Sequence, residues 1–233
     1  MYQLDYQENG LSSGRLRLTR PQFLRAGSAR PVAVSVFSQQ TCGRLAVEAF
    51  IKGVYAKSYG AKINVHYPIL MSVQDAGGVI LSAVGFRYAV HEPLFLEQYL
   101  SAPIDELLQS PRDSITEIGN LASNGGGASS FLFAALAAYL HNHDQRYAVV
   151  TGTNFIEKRL RMMGLRPQRL AQADPSRLLH HDESWGTYYD TDPHVLAGCV
   201  DHGYRRLQAF MGAEYTAHEA PLTTALHYRG DLS

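Results

Sequence analysis

The sequence predicts an α/β fold in which a mixed β-sheet is flanked by helices. Segments rich in β-branched residues alternate with segments of helical spacing along most of the 233 residues. Two strand patterns enclose the turn-forming residues 75–78, which indicates an antiparallel hairpin. Strand–helix–strand units follow over 114–172, and right-handed crossovers of this kind join parallel strands. We expect one domain, or two tightly joined halves, over 1–233, with a core over about 31–190 and a C-terminal helix and tail over 191–233.

The first half of the chain predicts the antiparallel part of the sheet. Leu45, Ala49 and Ile51 have helical spacing, and Pro103 suits the first turn of a helix. The predicted elements are a strand over 31–37, a helix over 41–61, two strands within 67–89 and short helices over 94–100 and 103–109.

The second half predicts alternating strands and helices. The predicted elements are strands over 114–122, 147–153, 166–172 and 184–190 and helices over 129–143, 154–165 and 193–210. The last 20 residues are polar, and we expect them to fray. The first thirty residues alternate polar and apolar side chains without the apolar stretch of a signal peptide, and they carry Arg15, Arg17, Arg20 and Arg25.

Composition narrows the classes of function. The chain has 21 basic and 21 acidic residues, so its overall field gives no reason to expect binding to nucleic acid or to an anionic membrane. Cys42 and Cys199 stand apart without a metal-binding spacing, which favours a reduced, cytoplasmic setting. The apolar run "FLFAALAAYL" has about half of the roughly 20 residues that a membrane-spanning helix needs. We therefore expect no stable membrane insertion.

The segment "SNGGGAS" (123–129) lies between a predicted strand and a predicted helix. A glycine-rich turn there lets backbone N–H groups converge beside the positive end of the helix dipole, which makes a pocket for an anion such as phosphate. It matches neither the Walker A pattern nor the dinucleotide fingerprint. The alternative is a flexible loop in which Ser129 or Ser130 caps the helix. The residues predicted to line this binding pocket are Leu121, Ala122, Ser123, Gly125, Gly126, Gly127, Ala128 and Ser129.

The chain resembles the acyl-CoA N-acyltransferase (GNAT) fold over roughly 33–189. The resemblance lies in the order of these units, in the glycine loop and in Asn154 at the start of the next helix. The resemblance implies that the central strand splays from its neighbour and that an acyl thioester lies in the gap. It also implies that the loop amides bind the pyrophosphate of the donor and that Asn154 contacts the pantetheine arm. The usual basic residue of the loop is missing, and Leu160 stands where many relatives have a tyrosine that protonates the leaving thiolate.

Four further segments resemble the thermostable hemolysin family: "LFLEQYLSAP", "ITEIGNLAS", "TGTNFIEKRLRMMGLRPQRLAQADPSRL" and "WGTYYDTDPHVLAG". That family is distantly similar to acyl-homoserine-lactone synthases and N-acyl amino acid synthases. The resemblance implies acyl transfer from acyl-CoA or another acyl thioester to the amine of an amino acid or small metabolite. The alternatives are an acyl carrier protein or aminoacyl-tRNA as donor, and a non-enzymatic, membrane-active protein on a decayed scaffold. The sequence leaves the oligomeric state open, a homodimer included.

Attack of an amine on a thioester needs a base, and Glu117 is the candidate. It interrupts an apolar strand just before the loop and by alternation shares a face with Gly119 and Leu121, where partial desolvation would raise its pKa. The alternative is an ion pair with Arg112 or exposure at a strand edge. Tyr188 could replace the missing acid, or it belongs to the core.

Glu97 and Arg112 are candidates for binding the acceptor, with a surface ion pair as the alternative, and Asn120 is expected on the opposite face of the strand from Glu117. We predict no metal site, because His141, His143, His180 and His181 have no third ligand at suitable spacing.

Overall fold

The computed structural model describes residues 2–19, 30–179 and 183–218. Across these ranges ten strands form one sheet in the order β10-β2-β1-β3-β4-β5-β6-β7-β9-β8. The strands are β1 (Tyr2–Glu8), β2 (Leu11–Leu18), β3 (Pro31–Phe37), β4 (Ile69–Asp75), β5 (Ile80–Tyr88), β6 (Ile115–Ser123), β7 (Tyr147–Gly152), β8 (Gln168–Gln172), β9 (His194–Cys199) and β10 (Ala213–Ala217). The helices are α1 (Arg44–Tyr59), α2 (Ile104–Leu108), α3 (Ala128–Asn142), α4 (Asn154–Met162) and α5 (Val200–Met211).

The sheet is mixed, as predicted. β6 and β7 run parallel, and so do β1 and β3, whereas the other neighbouring pairs run antiparallel. The β4–β5 hairpin turns where expected, because the Asp75 carboxylate accepts hydrogen bonds from the N–H groups of Gly77 (2.9 Å) and Val79 (3.0 Å). The α/β fold with a mixed sheet flanked by helices is therefore confirmed.

The helices cover both faces of the sheet. Helices α3 and α5 pack in one core cluster with Met71 and Val84, whereas α1 packs in another with Leu70 and Ala83. Since neighbouring residues of a strand point to opposite faces, α1 lies on the other side of the sheet from α3. A third cluster joins the segment 94–104 to β7 and β9.

Two predicted elements near residue 190 are wrong. Ser184 forms an isolated β-bridge with Lys62, residues 186–188 form a turn, and Tyr189–Thr191 form a 3₁₀ turn. The backbone groups of this segment bond locally, for example Tyr188 N–H to Trp185 C=O (3.0 Å). The helix expected from 193 begins only at Val200. The residues before it form β9, which lies between β7 and β8 and pairs with both.

The ends of the described chain add two features that the sequence did not predict. β1 and β2 form an antiparallel hairpin, and β10, most of which lies in the segment expected to fray, pairs with β2. Arg20, Arg25, His180, His181 and residues 219–233 lie outside the described residues. Within the described ranges, no helix is both long and apolar enough to cross a membrane.

Candidate functional site

The centre of the sheet opens between β6 and β7. Their pairing ends at Ile118 and Val150, although β6 continues to Ser123 and β7 to Gly152. A β-bulge causes this divergence: Ala83 pairs with Ala122 but Gly85 pairs with Gly119, so β6 carries one extra residue. The expected splay of the central strand is confirmed.

The bulge also reverses the alternation of side chains along β6. Asn120 has a left-handed backbone (φ 51°), and residues after it exchange faces. Leu121 consequently lies with Ile118 on the α3 side, while Asn120 lies with Gly119 on the other side, which is the side of Glu117. The predicted faces of Leu121 and Asn120 are therefore wrong.

The glycine loop lies at the end of the splayed strand. Gly125, Gly126 and Gly127 all have left-handed backbones, with φ of 87°, 64° and 90°, which is the region that favours glycine. Helix α3 begins at Ala128, and no side chain caps it, so the alternative of a serine cap is wrong. The guanidinium of Arg159, on α4, lies 3.5 Å from the Ser130 hydroxyl in the first turn of α3. Arg159 thus places a positive charge beside the first turn of α3.

An apolar cavity of about 150 Å³ lies on the α3 side of the gap. Helices α3, α4 and α5 enclose it against β6, β7 and β9, and Leu160 is part of its wall. Ile118, the last residue of β6 that pairs with β7, borders both this cavity and a second one on the opposite side of the sheet.

The second cavity, of about 50 Å³, is polar at its base and aromatic at its walls. Arg87, Gly119, Asn120 and Thr151 line it where the strands diverge. The aromatic residues that surround it are Tyr55, Tyr67, Phe95, Tyr99, Trp185, Tyr188 and Tyr189. Residues 185–189, predicted as a strand, reach the cavity because they form turns.

Glu117 lies buried beside this cavity. Its carboxylate accepts hydrogen bonds from the N–H groups of Phe95 (3.0 Å) and Leu96 (2.8 Å) and forms an ion pair with the Arg87 guanidinium (3.2 Å). Burial raises the pKa of Glu117 to about 7, although Arg87 and the two N–H groups act against the increase. Its ion-pair partner is Arg87 and not Arg112.

Tyr67 occupies a slot in the sheet that two glycines create. Gly85 and Gly119 are paired across β5 and β6, and a Cβ atom at either position would overlap the Tyr67 side chain. The Arg87 guanidinium lies over the Tyr67 ring, 4.6 Å from its centre. Burial holds the pKa of Tyr67 well above its usual range, so its hydroxyl remains a proton donor at neutral pH.

Sequence reasoning missed Tyr67 and Arg87. The available signal was a glycine in the interior of each of two neighbouring strands, which marks close approach of another group. The sequence does not reveal which residue makes that approach.

The other predicted site residues lie around the gap or away from it. The Tyr188 hydroxyl donates a hydrogen bond to the Thr151 carbonyl (3.1 Å), and burial raises its pKa. Asn154 donates to Asp192 (3.2 Å) and accepts from Arg169 (3.1 Å), so both ends of its amide are engaged.

Glu97 and Arg112 form an ion pair (2.7 Å), and neither lines the second cavity. Glu97 also accepts hydrogen bonds from the N–H groups of Leu94 and Ile104, which fixes the segment between them. The structure brings Glu117, Asn120 and Tyr188 together around one cavity and places this ion pair apart from them.

Of the four histidines considered as metal ligands, the structure describes His141 and His143. His141 stacks on Tyr204 and His143 on Tyr139, with ring centres 4.5 and 4.0 Å apart. Across the ranges that the structure describes, no group of three His, Cys, Asp or Glu residues could hold a metal ion.

Comparison with known proteins gives one family and a set of related folds. A sequence model of the thermostable hemolysin family matches residues 37–204. No curated protein matches the chain in sequence. The AHL synthase LasI is similar in structure, with a TM-score of 0.54 and 15% identity, covering 79% of this chain and 98% of its own.

Two CoA-dependent acyl-homoserine lactone synthases are also similar in structure. MesI has a TM-score of 0.51 and 18% identity, covering 77% of this chain and 95% of its own. BjaI, solved with SAM and isopentyl-CoA, has a TM-score of 0.52 and 10% identity, covering 77% and 89%. At these identities the likeness shows a common fold.

Proposed function

This chain belongs to the thermostable hemolysin family, and we propose that it transfers an acyl group from a thioester, acyl-CoA, to the amine of a small metabolite, amino acids included. The observation that carries the proposal is the gap between β6 and β7. It lies between an apolar cavity and a polar, aromatic one, and Ile118 borders both. A reaction that joins an apolar acyl chain to a polar acceptor needs two such compartments that meet at one point.

The donor would lie on the α3 side. The apolar cavity suits an acyl chain, and the loop of Gly125, Gly126 and Gly127 at the start of α3 suits the pyrophosphate of CoA. Arg159 adds positive charge beside that helix start. The related fold of BjaI, solved with isopentyl-CoA, supports this assignment.

The acceptor would enter from the other side, and its nitrogen would attack the thioester carbonyl carbon. The C–N bond forms, the C–S bond breaks, and the nitrogen loses a proton to Glu117, directly or through one water molecule. Backbone N–H groups of β6 beyond Ile118, no longer paired with β7, can stabilise the tetrahedral oxyanion. The thiolate takes a proton from a neutral tyrosine, for which Tyr67 and Tyr188 are the candidates.

An acyl carrier protein is the second candidate donor. Phe155 and Met162, on α4, are 65% and 79% exposed, and Lys158 and Arg161 are also exposed on that short helix. A basic surface with exposed apolar side chains is suited to an acidic protein partner. The described residues add no comparable support for an aminoacyl-tRNA donor or for a membrane-active role.

The test measures thiol release and amide formation together. The purified protein is incubated with acyl-CoA thioesters from acetyl to palmitoyl and a set of primary amines, and products are identified by mass spectrometry. We expect release of CoA that depends on the amine, together with a product of the amide's mass. Release from acyl carrier protein but not from acyl-CoA would favour the second donor. Absence of amide with both donors would contradict acyl transfer.

A further inference from the structure

Three buried side-chain atoms among the described residues have no hydrogen-bond partner: Arg87 Nε, Asn120 Oδ1 and Thr151 Oγ1. All three residues line the polar, aromatic cavity beside the gap. Buried polar atoms in folded proteins are nearly always paired. Arg87 Nε has the Glu117 carboxylate 3.2 Å away, so Asn120 Oδ1 and Thr151 Oγ1 are the two atoms that indicate a partner supplied from outside the chain. The cavity therefore has the character of a binding site.

The orphaned atoms specify the polarity of the ligand. Asn120 Oδ1 is an acceptor and Thr151 Oγ1 can accept as well as donate, so a ligand that donates hydrogens where β6 and β7 diverge satisfies both atoms. Arg87 Nε is the remaining donor, and it lies 3.2 Å from the Glu117 carboxylate. A primary ammonium group, which has three donors and no acceptor, matches this arrangement.

The charge around the cavity agrees with a cation. Arg87 lies between two carboxylates, those of Glu117 (3.2 Å) and Glu92 (3.2 Å), which balance its charge. The Glu183 carboxylate, 9% exposed, adds another negative group, and its partner His66 is 64% exposed. The carboxylate of an amino acid would meet no unneutralised arginine or lysine among the described residues of the wall.

The aromatic walls accommodate the rest of the molecule. Trp185 has Phe95, Tyr188 and Tyr189 around it, with ring centres 5.4 to 6.0 Å away. Aromatic faces attract ammonium groups and pack well against apolar carbon.

We propose that this cavity binds a small primary amine without a carboxylate, held as its ammonium between Asn120 and Thr151. As the acyl acceptor, a role that rests on the proposed function, this ligand would be an amine and not an amino acid.

The sole tryptophan of the chain allows a direct test. Because Trp185 lines the cavity, its fluorescence reports binding without acyl donor or turnover. The protein is titrated with phenethylamine and with phenylalanine, which share the ring and the amine and differ in the carboxylate. We expect a saturable change with phenethylamine at a Kd at least about tenfold lower than with phenylalanine. Equal or tighter binding of phenylalanine, or no saturable change with phenethylamine, would overturn the proposal.

Two variants connect the signal to the orphaned atoms. Thr151→Val removes Oγ1 and keeps the branched shape, and we expect phenethylamine binding to weaken about tenfold. Thr116→Val is the matched control on β6, because that hydroxyl donates to Gln145 and does not line the cavity. Asn120→Gly tests the second atom, since glycine accepts the φ of 51°. Unchanged affinity in both test variants would also overturn the proposal.

These outcomes remain separate from those of the proposed function. Binding of phenethylamine without amide formation would contradict acyl transfer but would still support the amine-binding site. Amide formation with amino acids alone would confirm acyl transfer and contradict the amine site.

Discussion

A carboxylate in the middle of a buried strand must be held by donors, and Glu117 has two backbone N–H groups and Arg87. These contacts fasten the segment around Phe95 and Leu96 to the sheet, which is a structural task. A pKa of about 7 also leaves the carboxyl near the midpoint of its titration at neutral pH, which suits a base. The two tasks differ in what they predict for turnover and for stability.

The first prediction concerns turnover. Glu117→Gln keeps the shape of the side chain but cannot accept a proton, so we expect turnover to fall on the order of 10²-fold while donor binding persists. The loss should shrink as pH rises and the amine deprotonates by itself. Wild-type turnover should rise through about pH 7 as Glu117 ionises. A pH–rate profile of both proteins measures this, and normal turnover per folded molecule in the variant would contradict the base.

The second prediction concerns stability. Because the pKa of Glu117 is raised from 4.5 to about 7 on folding, the folded state binds a proton more tightly than the unfolded state. Its contribution to stability is therefore present below pH 4.5 and is lost as pH rises to 7. Relative to Glu117→Gln, the wild type should lose about 2–3 kcal/mol of unfolding free energy between pH 5 and pH 8. Urea melts of both proteins measure the difference, and an unchanged difference would show that Glu117 titrates normally.

The third prediction concerns the proton donor. Tyr67→Phe removes a hydroxyl that lies at Gly119, beside the end of the β6–β7 pairing, and keeps the ring between the glycines and Arg87. We expect turnover to fall on the order of 10²-fold with little change in the melting temperature. Tyr188→Phe tests the other candidate; it loses a hydrogen bond to the Thr151 carbonyl, worth about 1 kcal/mol of stability, and we expect it to keep more of the turnover. A larger loss of turnover in Tyr188→Phe than in Tyr67→Phe would assign the role of proton donor to Tyr188 instead of Tyr67.

At the scale of elements, the glycine loop joins the splayed strand to α3. Its three consecutive left-handed residues could be expected from sequence, since three glycines stand between a strand and a helix. The position of Arg159 could not, because α4 meets α3 only after the chain has passed through β7.

The fourth prediction tests this loop. Gly126→Val adds a Cβ atom at a φ of 64° and at the proposed place of the phosphates, so affinity for acyl-CoA should fall at least about tenfold. Gly10→Val imposes comparable backbone strain at a φ of 84° in the β1–β2 turn, far along the chain from the loop. We expect the control to lose stability but not affinity, as measured by calorimetric titration. Equal affinities in both variants would remove the loop from the donor site.

The donor side of the site was more predictable than the acceptor side for a physical reason. The loop, α3 and α4 follow one another along the chain, so local spacing defines them. The second cavity combines α1, residues within 64–67 before β4, the segment after β5 and the turns after 184, which meet only in the folded sheet. The bulge at Asn120 is a further obstacle, because strict alternation predicts the wrong face for every residue beyond it.

Aromatic content misled the prediction of residues 184–190. Tyrosine and tryptophan favour strands, but Gly186 has a φ of 53° and the Thr187 N–H bonds to the Tyr59 carbonyl (2.9 Å). Contacts with the end of α1 therefore decide the conformation of this segment.

At the scale of the whole molecule, the family name refers to lysis, and the fold suggests an indirect cause. The fifth prediction is that purified protein lyses neither erythrocytes nor lipid vesicles, whereas protein with a long-chain acyl-CoA and an amine produces an N-acyl amide that does. Such a product has a detergent-like structure when the amine carries a second polar group, because the amide then joins an apolar chain to a polar end. Dye release from vesicles measures this. Release by the protein alone, without donor, would contradict it.

The hydrogen bond between Thr19 and Gly212 joins positions 193 residues apart and accompanies the pairing of β10 with β2. Contacts between such distant residues carry a large loop-closure cost and slow folding. During synthesis, β2 must leave the ribosome with one edge unpaired and wait for β10, at translation rates of about 5–20 residues per second. The nascent chain thus exposes an open sheet edge for roughly ten seconds or more. We therefore expect the chain to depend on chaperones during synthesis, and its yield on expression to fall when they are scarce.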